Sequence, residues 1–244
     1  MKKLFDKDEV WFAVVWILVY VIGFGNADSL SEALGIPKLL TVLLGLALSG
    51  VLLCFIYRNR LAAYFGLCKS QVRPGMLLWY LPLIVISSVN LWNGVQFNMP
   101  LGETVLYILS MCFVGLLEEL IFRGLLFKGM CRSSVTAAIV VSSLTFGVGH
   151  IVNLLFGEPV FDTVLQLIYA TAIGFCFTIF FYVSGSLLPC ILCHAIVNSL
   201  SAFAVTPSPA GKILMAAAQT LVSLGYGAWL LWSHKTAGKF TESS

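Results

Sequence analysis

The chain alternates between long apolar runs and short polar links, and eight such runs can be marked: residues 10–25, 39–57, 76–92, 103–130, 134–153, 163–183, 187–205 and 213–232. Each is near the ~20 residues that cross a bilayer core as a helix. The fold class predicted is all-α, a polytopic transmembrane helix bundle of about eight spans. Residues 1–244 read as one integral membrane domain, with no internal repeat or low-complexity tract. Run 10–25 has the length of a signal-peptide core, but Asp6, Asp8 and Glu9 stand where a basic lead is needed, so it reads as the first span. Link 58–74 carries Arg58, Arg60, Lys69 and Arg73 and reads as an amphipathic segment lying on the surface. Pro82 predicts a kink in the third span.

Composition sharpens this. With 59% hydrophobic and 10% charged residues and a mean hydropathy of +0.97, too few polar residues remain to cover a soluble surface. A net charge of +3 with no basic run gives nucleic acid nothing to bind. The seven cysteines sit mostly inside apolar runs and read as small buried residues. With eight spans and the N-terminus inside, every Lys and Arg outside the membrane except Lys38 and Lys212 falls on the inner face. That matches the positive-inside rule and places both termini in the cytoplasm.

Against this apolar background a few polar residues stand out. Glu118, Glu119 and Arg123 lie within the fourth run, where each naively costs about 2.5–3.5 kcal/mol at mid-membrane. Glu119 and Arg123 are four apart, acid first, the spacing at which helical side chains meet and neutralise each other. Glu118 lies about 100° round the helix and points elsewhere, with His150 and His194 as its expected company. Phe146 and His150 are four apart on the fifth span, His194 and Asn198 on the seventh. The polar site is therefore expected to be enclosed between spans four, five and seven. A carboxylate to act as general base, neutral imidazoles, and an amide able to donate to an oxyanion make a plausible set for activating water against an amide. By rise along the helix, Glu118 lies ~18 Å and His150 ~24 Å from the inner helix ends, but His194 only ~10 Å. The depths agree only if link 184–186 is recessed in the protein, where irregular backbone is shielded from lipid.

Other chemistries lose ground on spelling. No HExxH zinc helix exists, the serine-glycine at 184–185 lacks the glycine a rhomboid needs (Tyr182 stands there), and no intramembrane aspartate pair is present. Cys190-Ile191-Leu192-Cys193-His194 spells a haem-attachment motif, but inside an apolar helix near the cytoplasmic side, so haem is not expected.

In order, Glu118-Glu119-x-x-x-Arg123, Phe146-x-x-x-His150 and His194-x-x-x-Asn198 resemble the three signature motifs of the CPBP family, the CAAX prenyl endopeptidases and bacteriocin-processing enzymes also called Abi proteins. The motifs cover roughly 110–201, within an approximate catalytic core of 103–204. The resemblance implies an intramembrane endopeptidase in which Glu118 and His150 activate water. His194 and Asn198 would hold the oxyanion, and Glu119 and Arg123 would fix the helix and tune Glu118. Glu118, His150 and His194 are the residues a Zn2+ would take, and a metal-free water suits the same set, so sequence leaves both open. The partners implied are membrane lipid and a peptide or lipidated protein tail, for which a cavity open to the cytoplasm would suit. Short tails and compact loops suggest a bacterial cell membrane, where a bacteriocin-type precursor is the family-level guess. A non-catalytic membrane regulator or bacteriocin self-immunity partner, and a transporter or proton channel, are the rival readings.

Overall fold

The computed structural model describes residues 1–70 and 79–242, the last eight of these by backbone alone. The expectations for Arg73 and for the start of the third run fall on 71–78, outside the described residues. Helix α1 (Lys2–Lys7) leads into α2 (Glu9–Ala33), whose N-terminus is capped by Asp8 accepting from the Trp11 N–H. Then come α3 (Leu39–Arg58), a short α4 (Leu81–Ser88) continued by one 3-10 turn to Leu91, and α5 (Leu101–Glu118). The α5 rod passes without a break through a π-helical stretch (Glu119–Phe127) into α6 (Lys128–Cys131). Ser134 caps α7 (Val135–Gly149), which tightens into a 3-10 turn from His150 to Phe156. Next, α8 (Val160–Ser184) ends at Gly185, followed by the short α9 (Leu188–Leu200) and the long α10 (Pro209–Glu242).

Six helical rods among the described residues are long and apolar enough to cross a bilayer, including Leu101–Cys131 and Val135–Phe156. Two of the expected spans are shorter, Leu81–Leu91 and Leu188–Phe203. Pro82 does not kink a helix: it stands in the first turn of α4, where its missing N–H would have had no partner. Among the described residues there is no strand, only one isolated bridge between Val95 and Ala204.

The bundle has two distinct ends. At one, Lys38 pairs with Asp28, Lys212 with Asp162, and Asn98 donates to the carbonyls of Ala202 and Ala204. At the other, Glu9 accepts from Tyr64 and pairs with Arg132, while Phe5, Phe12, Phe55 and Phe65 stack edge to face. These are called the Lys38 end and the Arg58 end.

The recess required by the depth of His194 is present at the Arg58 end. Ser184, Ser186 and Leu187 are fully buried. The segment before residue 70 folds in beneath them: Leu187 N–H donates to the Gly66 carbonyl, Ser186 Oγ to that of Cys68, and Cys68 Sγ to that of Gly185. Link 59–70 therefore plugs the bundle with Phe65 and Gly66, while Arg60, Ala63 and Lys69 stay exposed. Gly66 makes this possible. Its φ is +72°, and a Cβ there would stand 2.2 Å from the Phe181 ring and 3.0 Å from Leu187 N.

Candidate active site

The π-helical stretch and α9 bring the polar residues together. A π turn widens the helix by one residue and is frequent at functional sites; here it begins at Glu119. On the other side, α5 and α9 touch backbone to backbone at Gly115, where any Cβ would lie 2.7 Å from Ala195 N and 2.9 Å from its Cα. Only a glycine lets the two helices close to this distance. The consequence is that both glutamates reach His194.

Glu119 and Arg123 have no exposed surface. Arg123 Nη1 donates to Glu119 Oε1 at 2.8 Å, the i, i+4 pair read from the sequence. The same Oε1 lies 2.9 Å from His194 Nδ1, so Glu119 bridges the guanidinium and the imidazole instead of serving Arg123 alone. The guanidinium carbon stands 4.0 Å from the centre of the Phe146 ring, a cation–π contact that takes up part of the charge. Phe146 also meets both imidazoles edge to face, at 5.6 Å for His150 and 5.7 Å for His194. This ring is the spacer that sets the histidines on either side of the cluster.

Glu118 is 9% exposed. Its Oε1 accepts a 2.6 Å hydrogen bond from the Tyr20 hydroxyl on α2. Its Oε2 is buried without a hydrogen-bond partner and lies 3.6 Å from His194 Nε2. That separation is too long for a good direct hydrogen bond and suits a bridged one. His150 is half-buried at the turn from α7 into the 3-10 segment, its Nδ1 3.2 Å from Gln166 Nε2, and Gln166 Oε1 in turn accepts from Asn153. Asn198 is half-buried one turn beyond His194.

Two cavities meet at this cluster. The larger, about 450 Å3, is lined by Glu118, Phe146, His150, His194 and Asn198, so it holds four of the six residues singled out from sequence. The smaller, about 400 Å3, shares Glu118, Phe146 and His150 and adds Tyr20. Glu119 and Arg123 line neither; they lie behind the wall, Glu119 against His194 and Arg123 against Phe146. As they stand, Glu118, His150 and His194 do not converge as metal ligands, and among the described residues no three His, Cys, Asp or Glu side chains do.

Sequence reading missed Tyr20 and Gln166. Each is a polar side chain within an apolar run. Polar groups in a span that find no partner on their own helix are expected to bond across to another, and that was the available signal.

Neither the curated proteins nor the solved structures compared with the chain gave a match. One family model did match, that of the type II CAAX prenyl endopeptidases, Rce1-like, over residues 100–200. That stretch holds all three motifs, the π-helical turn and the whole of α9. Over residues 100–200 the chain is thus similar to the CAAX prenyl endopeptidases, which supports the CPBP resemblance carried by the three motifs.

Proposed function

We propose that the chain hydrolyses a peptide bond in a membrane-associated polypeptide, using water activated at Glu118. The observation that carries this reading is the unpartnered, buried Oε2 of Glu118 in a cavity that also holds His150, His194 and Asn198. Water bridging Glu118 Oε2 gives up a proton to that oxygen as it attacks the scissile carbonyl, and His150, steadied by Gln166, orients it. The tetrahedral oxyanion is held by His194 Nε2–H and the Asn198 amide. Glu118 then returns its proton to the leaving nitrogen as the C–N bond breaks.

The contacts of the ring support the role of His194: Glu119 Oε1, 2.9 Å from Nδ1, fixes the imidazole so that Nε2 is the nitrogen turned toward Glu118. Glu119 and Arg123 are thus positioning residues. Both cavities border the same end of the bundle, and the other end is plugged, which weighs against a conduction path. A CAAX prenyl protein, as the name of the matching family suggests, and a bacteriocin-type precursor are both candidates for the polypeptide that is cut.

The test is cleavage in detergent by wild type and Glu118→Gln, each with and without a chelator, on a prenylated CAAX peptide and a bacteriocin precursor. The expected outcome is cleavage by wild type alone. Equal cleavage by Glu118→Gln overturns the role of Glu118.

A further inference from the structure

The two cavities point one way. From the level of Glu118 the larger runs to Asp162, Pro207 and Lys212, and the smaller to Asp28, Lys38 and Glu158. Every one of these belongs to the Lys38 end. Among the described residues, none from the Arg58 end lines either cavity. The plug of Phe65, Ser184, Ser186 and Leu187, all buried, stands between the cluster and the Arg58 end.

The ends also differ in charge. Near the Lys38 end lie Lys38 and Lys212 against Asp28, Glu32, Glu103, Glu158 and Asp162, two bases to five acids, a net of −3. Near the Arg58 end lie Lys2, Lys3, Lys7, Arg58, Arg60, Lys69, Lys128, Arg132, Lys235 and Lys239 against Asp6, Asp8, Glu9 and Glu242, ten bases to four acids among the described residues, a net of +6. Short basic links stay in the cytoplasm, so the Arg58 end is the cytoplasmic one. The mouths of both cavities then face away from the cytoplasm, opposite to the tail-binding cavity expected from sequence.

We infer that the substrate reaches the site from the non-cytoplasmic face, as a membrane-anchored polypeptide whose apolar juxtamembrane segment enters the larger cavity. This rests on the endopeptidase reading above. The larger cavity suits such a segment. Met111, Val114, Leu165, Ile173 and Met215 line it, and the two charges at its mouth, Asp162 and Lys212, cancel in a 2.8 Å pair. Its volume lies within the ~300–1,000 Å3 of ordinary ligand pockets. The smaller cavity, rimmed by Asp28, Glu32, Lys38 and Glu158, is the more polar approach and brings water to the opposite side of Glu118.

The probe is an acylated peptide with a fluorophore and quencher flanking an apolar segment, which stays in the leaflet to which it is added. It is given to wild type and Glu118→Gln in detergent, and to wild type in sealed right-side-out and inside-out membrane vesicles. In parallel, Glu158→Cys and Asn59→Cys are labelled in intact cells with a membrane-impermeant maleimide, counted above the wild-type background. The expected result is Glu118-dependent cleavage in detergent and in right-side-out vesicles, with inside-out vesicles cutting only to the extent that they leak. Glu158→Cys labels in intact cells and Asn59→Cys only after permeabilisation. Detergent cleavage together with equal or preferential cleavage in inside-out vesicles, or the reverse labelling pattern, overturns the route and leaves the endopeptidase reading in place. No cleavage in detergent, where both faces are open, overturns that reading and the route with it.

Discussion

Removing Arg123 alone and removing it together with Glu119 should have opposite severity. Both side chains are fully buried and share the 2.8 Å bond, and the guanidinium also lies 4.0 Å from the Phe146 ring. Arg123→Met leaves the Glu119 carboxylate at the bundle centre with only His194 Nδ1 beside it. Breaking a buried pair by deleting one partner costs about 3–5 kcal/mol, and a desolvated cation–π contact is worth about 2 kcal/mol more. Arg123→Met should therefore lose about 5–7 kcal/mol. In the double variant Glu119→Leu/Arg123→Met no charge is stranded. Apolar replacement of a buried pair ranges from neutral to about 1–4 kcal/mol stabilising, which offsets the lost cation–π term, so its stability should stay within about 2 kcal/mol of the parent. The measurement is reversible unfolding in mixed detergent micelles, with peptide cleavage followed in parallel. The double variant should be folded yet slow, because His194 Nδ1 has lost its acceptor. If the single variant is no less stable than the double, the Glu119–Arg123 pair does not neutralise this core.

Four further outcomes follow from the same geometry. Tyr20→Phe deletes a charge-assisted hydrogen bond to Glu118 worth about 1.5–3 kcal/mol, so kcat should fall about tenfold or more with KM unchanged; a change in KM alone would place Tyr20 in binding. Gly115→Ala forces a Cβ to within 2.7 Å of Ala195 N and parts α5 from α9, so activity should be lost, at a stability cost of about 1–3 kcal/mol; retained activity would mean that His194 does not need this approach. Gly66→Ala meets both a left-handed backbone, about 1–2 kcal/mol, and the Phe181 ring, so a lowered midpoint in thermal unfolding is expected, and an unchanged one would show that the plug is loose. Burial, and then the Glu9 carboxylate, push the Tyr64 hydroxyl from 10.0 up to about 12. A raised folded value means that the Tyr64–Glu9 contact contributes fully below pH 10 and is lost as pH rises towards 12, and Tyr64→Phe should remove that part of the pH dependence of unfolding.

What could be read from sequence was whatever depended on a single helix. Hydropathy located the long rods, and the i, i+4 spacing paired Glu119 with Arg123 and aligned His194 with Asn198. What required a second element was out of reach. That Glu119 also serves His194 depends on Gly115 bringing α9 against α5, and neither residue marks the other in the sequence. The depth mismatch of His194 did point to a recessed link, because lipid tolerates no bare backbone. Nothing in the chain's order, however, said that the filler would be the basic link 59–70, whose charges made it look superficial. The direction of the cavities was hidden for the same reason: it is set by which loops close over the cluster and which stand apart.

The short α9 hangs from the plug, not from the membrane surface. Long helices respond to a thicker or thinner bilayer by tilting, whereas the height of His194 is fixed by hydrogen bonds to Gly66 and Cys68 inside the protein. The reacting centre therefore behaves as a fixed gauge inside a lipid layer of variable thickness. An anchored chain would be cut at a distance counted from its own anchor, and the same enzyme in a thicker membrane would cut that chain at a different bond.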